Sequence, residues 1–225
     1  MKNISTLVFD LETLPDGPYP TPDQIKVPAN YSKPESILAY QNNPQNLEAT
    51  YRARALSPVE GRILSIAWIL DDEPVRSVIN ADEKVVMEGF QTQLQEQFRA
   101  RFGGDDVMAH PTFIAHNGRT FDISFLFLRI LKYDLEWLQR VMGTDIKEIR
   151  QEDTMMVMGV LNGYRTYVSL AKACAFFGIE TPKDGMSGKD VYDYFKAGRL
   201  DEIQKYDEKD TVATYKLAKK LKLIL

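Results

Sequence analysis

Val8-Phe9-Asp10-Leu11-Glu12-Thr13 is the stretch on which the reading of this chain turns. The run from Ile4 to Phe9 is apolar apart from Ser5 and Thr6, and two acids then arrive one residue apart. Alternate residues of a β-strand point to one face, so Asp10 and Glu12 are expected to aim together off the end of a buried strand. Two carboxylates side by side repel, and each resists ionising alone. A divalent cation relieves that conflict, and hard oxygen ligands suit Mg²⁺ or Mn²⁺. A lone Asp-x-Glu pair is more often two exposed acids closing a strand, so this pair needs partners elsewhere in the chain.

The bulk of the sequence narrows where to look. Its 225 residues suit one domain of ordinary size, read as spanning 1–225, with ample apolar content for a core. No run is apolar and long enough to span a bilayer, and the start lacks a secretory signal pattern, so a cytoplasmic protein without a membrane partner is expected. The single cysteine, Cys174 in Ala-Cys-Ala-Phe-Phe, reads as a small core residue and excludes an internal disulfide or a cysteine-built zinc site. The net charge of −4, from 28 basic and 32 acidic residues, offers no global positive field to draw in nucleic acid. Clustered carboxylates that hold cations would invert that locally.

Eight of the eleven prolines fall between Pro15 and Pro58, which breaks regular structure just after the first strand. Residues 15–60 therefore read as an irregular insertion within the domain, with short helices around Glu35–Tyr40 and Asn46–Leu56. Arg62–Leu70 is a strong strand, and Val75–Ile79 returns as its hairpin partner after Asp71-Asp72-Glu73-Pro74. A helix capped by Asp82 runs to about Arg101, with Val86, Phe90, Leu94 and Phe98 on one face and Gly103-Gly104 at its stop. Phe113–His116 is a short buried strand, and Phe121–Leu131 a helix apolar nearly all round. Beyond Glu152 the pattern is helical: Asp153–Leu161, Ser169–Phe177, Gly188–Lys196 and a long final helix from Asp201. Strands early and helices late give an α/β chain, a mixed sheet with helices on its faces.

Two further acids stand out. Asp122, in His116-Asn117-Gly118-Arg119-Thr120-Phe121-Asp122, enters at the start of the apolar helix, where an acid also answers the helix dipole. On the last helix Tyr206 and Asp210 are four apart and share a face that Ala213, Thr214 and Leu217 continue inward. His116 reads as structural, Asp153 as a helix cap, and Trp68 and Trp137 as core residues. Arg119 and Arg165 are candidate phosphate contacts, and the lysines at 216, 219, 220 and 222 fit the dipole at a helix end.

Taken in order, Asp10-Leu-Glu12, Asn117-x-x-x-Phe121-Asp122 and Tyr206-x-x-x-Asp210 resemble the three motifs of the DEDD 3′–5′ exonucleases, in the branch whose third motif carries tyrosine. The middle motif looks most like the exonuclease domain of family-B DNA polymerases, and most of the chain, from Ile4 to the final helix and least of all the proline-rich insertion, resembles stand-alone proteins predicted to be exonucleases related to that domain. The resemblance implies a ribonuclease-H-like fold, a five-stranded mixed sheet flanked by helices. It implies a site in which Asp10, Glu12, Asp122 and Asp210 hold two divalent cations, Mg²⁺ or Mn²⁺, and Tyr206 orients the attacking water. Leu11, Thr13, Asn117 and Phe121 would seat the terminal nucleotide. The implied substrate is nucleic acid, single-stranded DNA before RNA, degraded to nucleoside 5′-monophosphates, with a separate polymerase or repair protein as an expected partner.

Overall fold

The computed structural model describes residues 5–103, 110–163, 167–181 and 185–224. Five strands, β1 (Thr6–Pro15), β2 (Gly61–Leu70), β3 (Arg76–Ile79), β4 (Thr112–Ala115) and β5 (Gln151–Asp153), form one sheet in the order β3-β2-β1-β4-β5. β1 runs antiparallel to β2, and β2 to β3, whereas β4 lies parallel to both β1 and β5. The helices are α1 (Pro34–Gln41), α2 (Pro44–Ala53), α3 (Glu83–Phe102), α4 (Asp122–Lys132), α5 (Glu136–Met142), α6 (Thr154–Leu161), α7 (Leu170–Phe176), α8 (Val191–Lys196) and α9 (Leu200–Lys220).

Alternation along the strands sorts side chains to two faces. Leu7, Phe9 and Leu11 of β1 join Ile66 and Trp68 of β2 in a core closed by α3, α4 and α5. Val8, Ile69 and Ile114 face the other way and pack on Ala218 of α9. The expected ring and aliphatic stripe of α3 (Val86, Phe90, Leu94, Phe98) is wholly buried, and Asp82 caps the helix by accepting from the Lys84 N–H. Trp68 and Trp137 are core residues as expected, and Cys174 is buried. Among the described residues no helix is long and apolar enough to cross a membrane.

Four local expectations are corrected. β1 does not stop at the acids: it continues through Thr13 and Leu14 to Pro15, paired with β2 across an irregularity in register between Glu12 and Thr13. Asp10 and Glu12 thus stand within a strand, with buried Leu14 beyond them. The segment at 151–153 is a strand before it is a helix; three residues of mixed polarity carry no period of their own, and pairing with β4 decides their form. α5 was not expected, because Leu135 supplies no side-chain cap. α8 begins at Val191, three residues later than the glycine at 188 suggested.

The proline-rich segment contains α1, α2 and two short 3₁₀ turns, at Pro22–Gln24 and Arg54–Leu56. It is tied to the end of β1 and to α8. The Thr13 hydroxyl donates to the Ala55 carbonyl (2.6 Å), and Arg52 makes a two-pronged ion pair with Asp193. Tyr51 packs between Tyr19, tilted to it, and Tyr192, edge-on to it, at 5.2 and 5.8 Å between ring centres.

Candidate active site

Asp10 and Glu12 have the parity of Val8, so they face α9. Opposite them on β2 stand Ala67 and Ser65. Across this face α9 presents Tyr206 and Asp210 on one stripe, and Asp207, Thr211 and Thr214 on the next, the last three almost wholly buried. The Ser65 hydroxyl donates to Asp207 at 2.5 Å, which fixes the helix over β2 at the level of Glu12. One turn further out Gln204 donates to Ser77 Oγ, and Ser77 donates to Glu208, tying α9 to β3.

Asp122 comes from the other side of β1. β4 ends at Ala115, the chain turns through Asn117 with φ of +73°, and α4 starts at Asp122. Gly118 is required there: a Cβ on it would lie 2.5 Å from the Ala115 Cβ. The turn closes with the Ile123 N–H donating to the Gly118 carbonyl (2.9 Å), leaving Asp122 only 2 % exposed. The Leu11 backbone N–H, between the two acids of β1, favours its charged form.

Five carboxylates therefore converge electrostatically: Asp10, Glu12, Asp122, Asp207 and Asp210. Burial, and then the charges of Asp122, Asp207, Glu12 and Asp210 in that order, push Asp10 well above the ordinary carboxylate range. Glu12 is raised by burial and by Asp207, Asp210 and Asp122. Asp207 is raised by burial and its acidic neighbours, against the Ser65 hydrogen bond. Asp122 is pushed up to about 7, mostly by burial. Burial also raises Asp210, while the Tyr206 hydroxyl, donating to it, opposes the rise. Tyr206 itself is driven above the usual phenol range by burial and by Asp210, Glu12 and Asp10. Among the described residues none of the five acids has an ion-pair partner. Asp122 Oδ1 and Asp207 Oδ1 are buried without any hydrogen-bond partner.

The remaining sequence candidates have varied surroundings. Leu11 is core, and Thr13 is buried with its hydroxyl committed to Ala55, so at both positions only backbone could meet a ligand. Asn117 accepts from the Thr120 hydroxyl (2.7 Å), and half-buried Phe121 lies 4.9 Å from Phe125. His116 is engaged as a structural residue, its Nδ1 2.8 Å from Thr154 Oγ1 and its Nε2 3.0 Å from the Val168 carbonyl. Arg119 is exposed, as are Lys216, Lys219, Lys220 and Lys222, and Arg165 lies outside the described residues.

Sequence reasoning missed Asp207. It is hidden in an acidic run that looks like a solvated face. The signal was the spacing Asp207, Thr211, Thr214, which places an acid on the buried stripe of the helix.

With the geometry in place, comparison with known proteins is informative. Residues 60–224 match the family described as "Predicted 3′–5′ exonuclease related to the exonuclease domain of PolB". That span holds Asp122, Tyr206 and Asp210, whereas Asp10 and Glu12 precede it and are brought to the site by the pairing of β1 with β2 and β4. Among solved structures, the family B DNA polymerase from the hyperthermophilic archaeon Pyrobaculum calidifontis is similar, with a TM-score of 0.53 at 16 % identity, over 97 % of this chain and 24 % of the polymerase. This chain thus spans about a quarter of that protein, and the likeness speaks for the fold, which is the ribonuclease-H-like one expected from sequence. No curated protein matches the chain in sequence. Matched over most of its length, the chain belongs to the family of predicted 3′–5′ exonucleases related to the PolB exonuclease domain.

Proposed function

We propose that this protein is a metal-dependent exonuclease, folded as one domain, that removes nucleotides from the 3′ ends of single-stranded DNA and releases nucleoside 5′-monophosphates. The observation that carries the reading is that Glu12, Asp122 and Asp207 are buried beside Asp10 and Asp210 with no basic side chain of the described residues paired to them, and that Asp122 and Asp207 each hold an orphaned oxygen. Native proteins seldom bury such groups unless a ligand completes them.

The donor set fits hard divalent cations, because every donor is an oxygen and the carboxylates raise one another's proton affinity. Among the described residues no three acidic, histidine or cysteine side chains form a group able to hold a metal as they stand. Two such ions, when bound, would supply an acidified water, neutralise the phosphoryl oxygens and stabilise the departing 3′ oxygen. As the resemblance implies, Asp10 would serve both ions; it is the acid whose proton affinity all four others raise. Glu12 and Asp210 would complete the position on the α9 side, and Asp122 the one on the α4 side. Tyr206, hydrogen-bonded to Asp210 and held protonated, would orient the attacking water by donating or accepting a hydrogen bond rather than by taking its proton. The backbone at Leu11 and Thr13 would seat the terminal nucleotide, with Asn117 and the ring of Phe121 beside it.

The test offers 5′-labelled single-stranded DNA and RNA of one sequence with Mg²⁺ or Mn²⁺, beside an Asp122→Ala control. A ladder shortening from the 3′ end on DNA, absent in the control, is the expected result. A ladder on RNA alone would replace the substrate and keep the chemistry. Metal-dependent thermal stabilisation without any ladder would turn the reading to a binding module.

A further inference from the structure

One buried acid near this site has a full set of partners, and they join two parts of the molecule. Asp153 is the last residue of β5, beside Ala115 in the sheet, and only 6 % exposed. Its Oδ1 accepts from the Met155 and Met156 N–H groups (2.9 and 3.2 Å), the cap of α6 expected from sequence. The same carboxylate also reaches across to the turn that leads into α4. Oδ1 lies 3.0 Å from the Asn117 N–H, and Oδ2 lies 3.1 Å from the Arg119 N–H.

That turn cannot hold its shape unaided. Asn117 occupies the left-handed region, which most side chains avoid, and the backbone at Gly118 is pressed onto Ala115 closely enough to forbid a Cβ. The N–H groups of 117 and 119 are those such a turn leaves unpaired, and Asp153 satisfies both. His116 and Thr154, the neighbours of the two partners, are themselves hydrogen-bonded, and His116 continues to the Val168 carbonyl. Helix start, strand end and turn thus form one polar brace directly upstream of Phe121 and Asp122.

We propose that Asp153 is a positioning residue for the nuclease site: it fixes the 117–122 turn and, through it, the placement of Asp122. The proposal rests on the exonuclease reading for its kinetic consequence but not for its structural one. Asp153 is not a metal ligand in this scheme, because its oxygens are occupied by four backbone donors. It acts through Asp122, as an outer-shell group acts through the ligand it orients.

A plain helix cap and a brace differ in what a shorter cap would do. Serine caps helices about as well as aspartate but is too short to reach the Asn117 and Arg119 amides from the same position. In Asp153→Ser, amide hydrogen exchange followed by NMR in metal-free protein is expected to accelerate about tenfold or more at Asn117 and Arg119, while Met155 and Met156 change by less than about threefold. Turnover on the DNA substrate is expected to fall about 10–100-fold, with KM changed by less than about threefold. Asp153→Asn, which keeps one acceptor for α6 but cannot serve Arg119 as well, should show the same pattern more weakly and decides the matter if the serine variant does not fold. Unchanged exchange at 117 and 119, or acceleration confined to 155 and 156, would overturn the brace and leave a helix cap. A wild type inactive on every nucleic acid would overturn the exonuclease reading, with the exchange measurement still deciding on the brace.

Discussion

Two clusters of buried carboxylates, one around Glu83 and one under α9, are treated in opposite ways. Glu83, at the start of α3, is 5 % exposed and receives four donors: the Ile63 N–H (2.7 Å), Arg129 Nε (2.6 Å), Lys132 Nζ (2.8 Å) and the Tyr133 hydroxyl (2.7 Å). Burial alone would raise its pKa, but Lys132, Arg129, Ile63 and Tyr133 together hold it below the ordinary carboxylate range. Arg129 is completed in turn by the carbonyls of Pro58 and Gly61. On the far side of the sheet, Glu12 and Asp207 are equally removed from water and Asp10 is half-buried; all three have only other acids for charged company and are pushed well upward. Burial is thus common to both clusters, and the supply of positive charge separates them. Glu83 is complete as it stands and holds β2, α3 and α4 together. The acids under α9 have no such set of donors, and it is on them, not on Glu83, that the proposed site is placed.

The largest test of this contrast removes one member from each cluster. Asp10→Ala or Asp122→Ala should lower nuclease turnover by about 10²–10³-fold or more, because a charge-stabilising group is lost at the reacting centre. Metal-free stability should hold or rise, since a source of repulsion goes. Glu83→Ala should do the reverse: about 3–5 kcal/mol of stability lost in a denaturant titration, because Arg129 is left buried and uncompensated, with the kcat of the folded fraction unchanged. If Asp122→Ala unfolds the metal-free protein, or Glu83→Ala is harmless, the two clusters are not the opposites described.

A smaller effect follows from pH. The Asp122 carboxyl ionises near 4 in the unfolded chain but only at about 7 in the fold, so the unfolded state is favoured progressively as pH climbs between those values. Glu83 runs the other way: its folded value is depressed, so its contribution is present above the ordinary glutamate pKa and is lost as pH falls through the lowered one. Melting in a chelator is therefore expected to show greatest stability in weakly acidic buffer and a decline toward pH 8, and Mg²⁺ or Mn²⁺ added at pH 8 should reverse the decline. A melting temperature that rises steadily to pH 8 without metal would contradict the raised values at the site. Tyr206→Phe should slow turnover roughly tenfold, at the low end for an orienting group, and leave that metal-dependent rise intact.

The contrast was only half legible in the sequence. Asp10, Glu12, Asp122, Tyr206 and Asp210 each follow a local pattern (strand alternation, a helix start, a four-residue helical step), but it was their joint resemblance to the three exonuclease motifs that picked them out. The sheet order placed them on either side of β1, as a mixed fold with early strands requires. Glu83 went unremarked, since no local pattern shows that Arg129, 46 residues on, will meet it. Asp153 was legible as a cap through its neighbours Met155 and Met156, but its hold on Asn117 and Arg119 depends on β5 lying beside β4. That strand is three residues long and has no period to read. Local spacing reports what a helix or strand does with its own residues, and the pairing of distant segments decides which acids acquire a cation and which do not.

Asp207 tests the contrast at its finest. It is 0 % exposed and shares the site's raised pKa, yet it has one firm partner, the Ser65 hydroxyl, which donates to Oδ2 while Oδ1 has none. If it belongs with the site acids, burial and its acidic neighbours favour its uncharged form, and an amide can replace it: asparagine keeps an acceptor for Ser65 and brings no charge. Asp207→Asn should then change metal-free stability at pH 7 by no more than about 1 kcal/mol, in the stabilising direction if in either, because Glu12 and Asp10 lose a like-charged neighbour. Ser65→Ala, which takes away the one donor, should cost about 1 kcal/mol in the same denaturant titration. A loss above about 2 kcal/mol in Asp207→Asn would mean that the charged carboxylate is itself needed by the fold. Asp207 would then stand with Glu83, and the boundary between the two kinds of buried acid would run through α9 rather than between the faces of the sheet.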